Sequence, residues 1–551
     1  MPLSDLRLNR LISLVQDSFR IRENHDPDYI DLAGHLNRVW GGQHQVIYGR
    51  RGSGKSCLLV YAHRHSGSQS VVSFYLSVDE VKRLTFPDIL VRLLLTLFMR
   101  LAGASCPVWN PRNWAIRRSL KRTIRDLQTQ LDRAGRAEVI QETNTSDAAS
   151  VRARIARAVE AGGSYERTHA KSVRSAFSVE KIEHLERHLQ DYKSVLARAI
   201  RRIGGERVLF MLDDFYSLDI AVQPDVVDYL HRLVRGLNIY LKLGTIRHRS
   251  SLVRQEGQTI GVELHGDVEP IDLDHTLDDL PRTQDFLRQM LDALGKKVGI
   301  ESVSSEFFNP DALHELTLAS GGVARDFLTI FVEAVAAARA GGETRWLTPK
   351  YIDKAAYRVS YRTKLSNVRD DLGGEAEPLA RAFVDLLQFC LREKKKTLFL
   401  ISQDEAQQYP EQHELIKQLM DFRLVHIVEP DTSAASGRQG RYEAYTLDFS
   451  TFMEPRRRGI EIVKFWETDD QHRRIGLREA PVYPLDRLSA AANSHQDAEA
   501  QLQGFEKAIA SEFDLVDNVS EKSAPNGNGS FGPLFDKFSK RAGQNNSADS
   551  K

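Results

Sequence analysis

Two short stretches carry residues able to handle phosphate. The first, VIYGRRGSGKSCLLVYA over residues 46–62, spaces Gly49, Gly54, Lys55 and Ser56 as G-x-x-x-x-G-K-[ST]. Glycines in such a loop let backbone N–H groups turn inward around phosphates, and the following helix adds the positive end of its dipole. Lysine at this position neutralises β- and γ-phosphate charge, and the serine hydroxyl ligates Mg²⁺. Gly49, Arg50, Arg51, Gly52, Ser53, Gly54, Lys55, Ser56 and Cys57 are thus the expected cradle for ATP with Mg²⁺. An apolar strand before the loop and a helical pattern after it supply the context the motif requires. The plainer alternative is a glycine turn that only links strand to helix. The second stretch, RVLFMLDDF, ends an apolar strand in Asp213 and Asp214. A carboxylate there is costly unless a cation or hydrogen bonds compensate it, so Asp213 is the expected partner of Ser56 in holding Mg²⁺.

These residues need a sheet to position them. QVIY at 45–48, VVSFYLSV at 71–78, the run from 207, LNIYLKLGTIRHRS at 237–250 and VEPIDLDHTL at 268–277 read as strands separated by helices. That alternation predicts a three-layer α/β/α parallel sheet of the P-loop kind, spanning 1–278. From about 110 to 204 the chain is charged, helical and poor in strand signals, which predicts a helical insertion. An all-helical lid is expected over 279–361. Residues 377–465 run helix, strand, helix, helix, β-hairpin, the order of a winged helix. The tail over 485–551 is rich in Ser, Asn, Ala and Gly and is expected to be disordered, with one apolar island, SFGPLFDKFSKRAG.

The 551 residues exceed a single core. With 76 basic and 75 acidic side chains the formal charge is +1, so any nucleic-acid surface must be local. Cys57, Cys106 and Cys390 are far apart and form no CxxC, which fits a reducing, cytoplasmic setting. The start lacks a signal-peptide core, and no apolar run approaches the roughly 20 residues of a membrane span, so no membrane partner is expected. His63 and His65, two apart on a helix, face different ways and do not suggest a metal site.

With both motifs in place, the chain resembles the AAA+ and STAND ATPases over roughly residues 20–360, and is most similar to the origin-recognition-like AAA+ branch. The resemblance implies ATP hydrolysis with Mg²⁺, homo-oligomers and a C-terminal winged helix. LKLGTIR looks like a sensor-1 strand, with Thr245 or Arg247 facing the γ-phosphate. SGGVARDF looks like a sensor-2 helix whose arginine is Arg325. The Asp213-Asp214 pair and GTIR are closer to STAND proteins, in which ATP controls assembly with an effector partner without DNA. Bacterial ATPases of this mixed kind often belong to defence systems. Asp214, one methylene shorter than the glutamate common in AAA+ proteins, would serve as a slow general base, making a switch rather than a motor. Arg249 and Arg254 are candidates for an arginine supplied between subunits.

Duplex DNA is a candidate partner through the winged helix, although PEQHELIKQLMDF carries Glu411 and Glu414 beside Gln412 and Gln418. Arg438, Arg441 and REKKK are better phosphate contacts. RNWAIRRSLKRTIR, with Trp109 and Trp114, is a second basic surface, for which a solvated helix face is the plainer reading. No nuclease, protease or deaminase signature is evident.

Overall fold

The computed structural model describes residues 2–19, 27–105, 114–144, 165–203, 207–361, 364, 376–434, 439–452, 460–468, 474 and 476–488. Cys106, Trp109, Arg438 and the apolar island of the tail lie outside them. Met1–Ser494 forms one compact unit. The second, His495–Lys551, falls wholly outside the described residues.

Five strands form a parallel sheet: β1 (Gln45–Tyr48), β2 (Val71–Ser77), β3 (Arg207–Asp213), β4 (Ile239–Thr245) and, beyond a small hairpin of β5 (Val253–Glu256) and β6 (Gln258–Gly261), β7 (Glu269–Asp272). Their spatial order is β2-β3-β4-β1-β7. Every residue of β1 is buried, as expected for a parallel strand covered on both faces. The registers align Tyr48 with Thr245 and Asp272, and Ser77 with Asp213, so the chemistry-bearing residues share the C-terminal edge. β4 lies between β1 and β3, so Asp213 faces the loop after β1 across β4. The crossing is possible because β4 carries Gly244 at that point. A Cβ there would meet Asp213 Oδ1 at 2.7 Å and Leu59 Cδ1 at 2.9 Å.

Two long helices, Trp114–Asn144 and Tyr165–Ile203, lie between β2 and β3 in the chain. They are anchored rather than free-standing. Leu120, Leu127, Leu189 and Leu196 join the core that also holds the helix Asp88–Ser105. Asp126 accepts from His184 (3.0 Å) and Tyr192 (2.7 Å), and Lys181 pairs with Asp88. Helices Leu280–Lys297, Val303–Phe307, Pro310–Ser320, Ala324–Ala340 and Pro349–Ala355 follow β7. The first helix, Leu6–Ser18, packs on this group, with the Leu3 carbonyl accepting from Arg339 Nε at 2.8 Å.

The C-terminal part begins with Ala376–Leu387, which continues as a π-helical turn to Lys394. It then builds an antiparallel sheet, β8 (Leu398–Ser402), β9 (Val425–Thr432) and β10 (Tyr442–Leu447), in the order β8-β10-β9. Between β8 and β9 lie the helices Gln403–Gln408 and Pro410–Asp421. No helix among the described residues is long and apolar enough to cross a membrane.

Gly244→Ala tests the close approach of β4 to Asp213. Overpacking at a rigid sheet position should lower unfolding free energy by about 1–3 kcal/mol, read by chemical denaturation.

Candidate functional site

The loop after β1 wraps the N-terminus of the helix Lys55–Arg64. The Lys55 ammonium is buried and donates to the carbonyls of Gly49 (2.5 Å) and Arg50 (3.1 Å). Burial pulls its pKa below the ordinary value, opposed by the charges of Asp213, Asp274 and Asp214. The buried Ser53 hydroxyl has no hydrogen-bond partner among the described residues.

A cavity of about 380 Å³ opens from this loop. At one end it is lined by Arg51, Gly52, Ser53, Gly54, Lys55, Ser56 and Cys57, with Asp79, Asp214, Tyr216 and Arg325. The other end is largely apolar and includes Tyr29, His275, Phe286, Met290 and Leu294. His275 stacks on Phe286 with ring centroids 3.7 Å apart. Lys297 reaches from the Leu280–Lys297 helix to Asp28 on the cavity wall, at 2.5 Å. The lid closes on the loop directly, since the Arg325 amide donates to the Gly52 carbonyl at 3.2 Å. Burial pushes the Cys57 thiol up to about 12, so it is not a nucleophile here.

Asp213 is fully buried. One of its oxygens accepts from Tyr75 (2.9 Å) and the other from the Asp214 amide (2.9 Å). Asp214 sits in the left-handed region, at φ 55°, and its carboxylate is 3.4 Å from the Ser77 hydroxyl. Burial and then the Asp213 charge push the Asp214 carboxyl upward. Adjacent carboxylates under mutual repulsion, a serine at the helix start and an unpartnered buried hydroxyl in the loop together suit a magnesium–nucleotide complex. Ser56 lines the cavity, and Asp213, expected with it to hold the metal, lies behind it with both oxygens hydrogen-bonded.

Thr245 and Arg247 do not line the cavity, and neither do Gly49, Arg50 and Asp213. The Thr245 hydroxyl is bonded to Ser250. Arg247, beyond the end of β4, pairs with Asp272 at 2.8 Å and lies over the Tyr48 ring. Arg254 is held within its own chain by Asp225 (2.9 Å) and the Ala221 carbonyl (2.8 Å). Arg249 and Arg51 both lie over Tyr216 and over Phe422 of the C-terminal part.

Arg50 does not face the cavity. Its guanidinium reaches the carbonyls of His275 (2.8 Å) and Gly321 (3.2 Å), and His426 Nδ1 at 3.2 Å on β9. From there a buried chain of charges continues. His426 Nε2 meets Asp448 at 2.7 Å, and Lys364 donates to Asp448 at 2.6 Å. Lys364 also lies 3.4 Å from Asp326, which pairs with Arg423. Burial pushes Asp448 up, but Lys364 and His426 more than offset it and hold the carboxyl well below its usual range. Gly321 is required where the chain crosses the lid. Its φ is 57°, and a Cβ there would strike the His426 ring at 2.0 Å.

Sequence reasoning placed Arg50 in the cradle, whereas its guanidinium turns to His275, Gly321 and His426; it missed Tyr216, Phe422 and the apolar end of the cavity. Phe286, Met290 and Leu294 recur every four residues and so share one helix stripe, a visible signal that reads equally well as lid core.

No protein-family model matches the chain, and no curated protein matches it. Among solved structures, the ORC1 protein of Aeropyrum pernix in complex with DNA is similar at 14% identity. That match covers 81% of this chain and 90% of that one, with a TM-score of 0.31. A Walker-type ATPase of Pyrococcus abyssi is similar at 12% identity, over 79% of this chain and 99% of that one, with a TM-score of 0.38. Neither score assigns this chain a ligand or a partner.

Asp421, the last residue of the helix Pro410–Asp421, is buried near Arg249, and its Oδ2 has no partner among the described residues. Burial pushes its pKa up to about 8. An acid raised on folding binds its proton more tightly in the native state. Stability should therefore fall as pH rises from about 4 through about 8. Asp421→Asn should flatten that dependence and raise the thermal midpoint at pH 8.5 by roughly 2–5 °C, read by scanning calorimetry.

Proposed function

We propose that this chain is an ATP-binding, slowly hydrolysing switch of the AAA+ type. The observation that carries the proposal is the convergence of Lys55, Ser56, Asp214 and Arg325 on one cavity built by the Gly49–Ser56 loop. In this reading Lys55, Arg51 and Arg325 take up phosphate charge, and the apolar end receives the base. Mg²⁺, held by Ser56 and Asp213, would neutralise the β- and γ-phosphates. Asp214 orients the attacking water, and its side chain, one methylene shorter than glutamate, makes it a slow base. Self-association on ATP binding belongs to the same reading.

Nucleotide state is expected to act on the C-terminal domain, which we read as a winged helix. Arg51, Arg325 and Arg423 crowd one another around the loop, and their like charges repel. A triphosphate there offsets the repulsion and holds the domain down; loss of the γ-phosphate loosens it. The output is then DNA, or a partner on DNA, engaged through that domain. A second reading, a STAND-like scaffold that acts through an effector without DNA, draws support from the helix Pro410–Asp421. This helix packs against the Arg247–Arg249 turn, so part of the surface expected to read bases is turned inward.

Lys55→Ala should weaken binding of a fluorescent ATP analogue at least about 100-fold, the loss of a charge-assisted contact worth roughly 3 kcal/mol. Asp213→Ala should abolish Mg²⁺-dependent phosphate release. Undiminished nucleotide binding by the lysine variant would sink the assignment. Duplex DNA should stimulate wild-type turnover if the first reading holds and leave it unchanged under the second.

Arg50→Ala removes the link between the loop and His426 without touching the cavity lining. Limited proteolysis should separate the C-terminal domain about 10–100-fold faster than in the wild type, and ATP should protect the variant less. Equal cleavage rates would show that Arg50 does not hold the domain.

A further inference from the structure

The helix Trp114–Asn144 has two faces of opposite character. At about 100° per residue, Ile116, Leu120, Ile124, Leu127 and Leu131 fall within one arc. They belong to or pack against the hydrophobic core. Arg117, Arg118, Lys121, Arg122 and Arg125 fall within another arc of roughly 140°, with no overlap. Trp114 projects near the middle of that second arc and is 74% exposed. From Trp114 to Arg125 there is no acidic residue, in a chain whose total charge is only +1. The five cations have no ion pair among the described residues, whereas Asp126, at the edge of their arc, is taken by His184 and Tyr192. The first turn of the helix holds no acid, so its dipole adds to the same positive field.

A solvated helix normally intersperses its charges in i,i+4 pairs of opposite sign. Here three i,i+4 neighbours are like charges, Arg117 with Lys121, Arg118 with Arg122 and Lys121 with Arg125, while the one acid at that spacing, Asp126 after Arg122, is bonded to His184 and Tyr192; like-charge pairs cost stability unless an anion lies across them. We infer that this face of the insertion is a docking surface for duplex DNA, contacted through its phosphates.

Three features favour the duplex. The face is a convex rod, of the width that the major groove admits, and the roughly 140° spread lets cations reach phosphates on both flanks. Binders of single strands need a groove lined by aromatic platforms, and this face offers one tryptophan and no groove of its own. The apolar side of the helix is committed to the core, so the helix cannot lie in a membrane surface as an amphipathic anchor does. Its five cations are spread to reach phosphates on both flanks, so binding is carried mostly by the backbone and is strongly salt-dependent. The surface stands apart from the C-terminal domain and does not rest on the nucleotide assignment.

The test is fluorescence anisotropy of a labelled 30-base-pair duplex of arbitrary sequence with the full chain. If all five cations meet phosphates, affinity should fall about 500-fold between 50 and 200 mM salt. The triple variant Arg118→Ala/Lys121→Ala/Arg122→Ala should bind at least tenfold more weakly at 50 mM salt. Its log–log salt slope should be shallower by about 2.7. Replacing the same three positions so that all carry Lys should restore the slope. Binding of the ATP analogue, measured on the same preparations, should be unchanged and serves as the folding control; its outcome is independent of the DNA result. Three results would overturn the inference: duplex binding equal in wild type and triple variant, tighter binding of a single strand of the same length, or retention on vesicles with anionic headgroups but not on DNA.

Discussion

Everything around the cavity depends on one run of buried charges, Arg50, His426, Asp448, Lys364, Asp326 and Arg423. Asp448 is wholly buried, and the side chains of Lys364 and His426 are about 1% exposed. Ions taken out of water to this degree persist only if each finds its partner. Here the partners come from the loop after β1, the helix Ala324–Ala340, Lys364 in the segment before Ala376, and the C-terminal sheet with its flanking turns. Pairs of this kind contribute little net stability compared with an apolar core of the same volume, yet losing one partner costs several kcal/mol. The run therefore ties these parts together through groups that are costly to strip of a partner.

That interlock explains why the fold was largely legible in the sequence while the centre of the site was only half so. The strands β1 to β4 and β7 announce themselves as apolar, β-branched runs, because a parallel sheet buries both faces. The phosphate-loop motif is local, and Lys55 donates to carbonyls five and six residues before it. Arg50 is different. It occupies a free position of the motif, and its partner His426 lies 376 residues away. Periodicity, composition and spacing carry no information about such a pair. The order of strands was beyond reach for a similar reason, since Asp213 and the loop are separated by β4, and only the size of Gly244 hints at the crossing. Thr245 and Arg247 mark a third limit. The end of β4 was visible, but Ser250 and Asp272, which take up their side chains, come from elements whose approach the sequence does not specify.

The same geometry ties chemistry to domain position. Arg51 lines the cavity and also lies over Phe422, and Arg325 lines it beside Arg423. A cation that serves two contacts cannot alter one without altering the other. Asp214 shares in this arrangement through Tyr216, whose ring carries both Arg51 and Arg249. Asp214 is thus held in a shell that Phe422 of the C-terminal part completes. Under the proposed function, turnover and domain docking draw on the same few cations. A fast base would discharge the loop before the interlock could respond. A short, buried carboxylate in a left-handed turn gives the bound state time to matter, which is the property a switch requires and a motor does not.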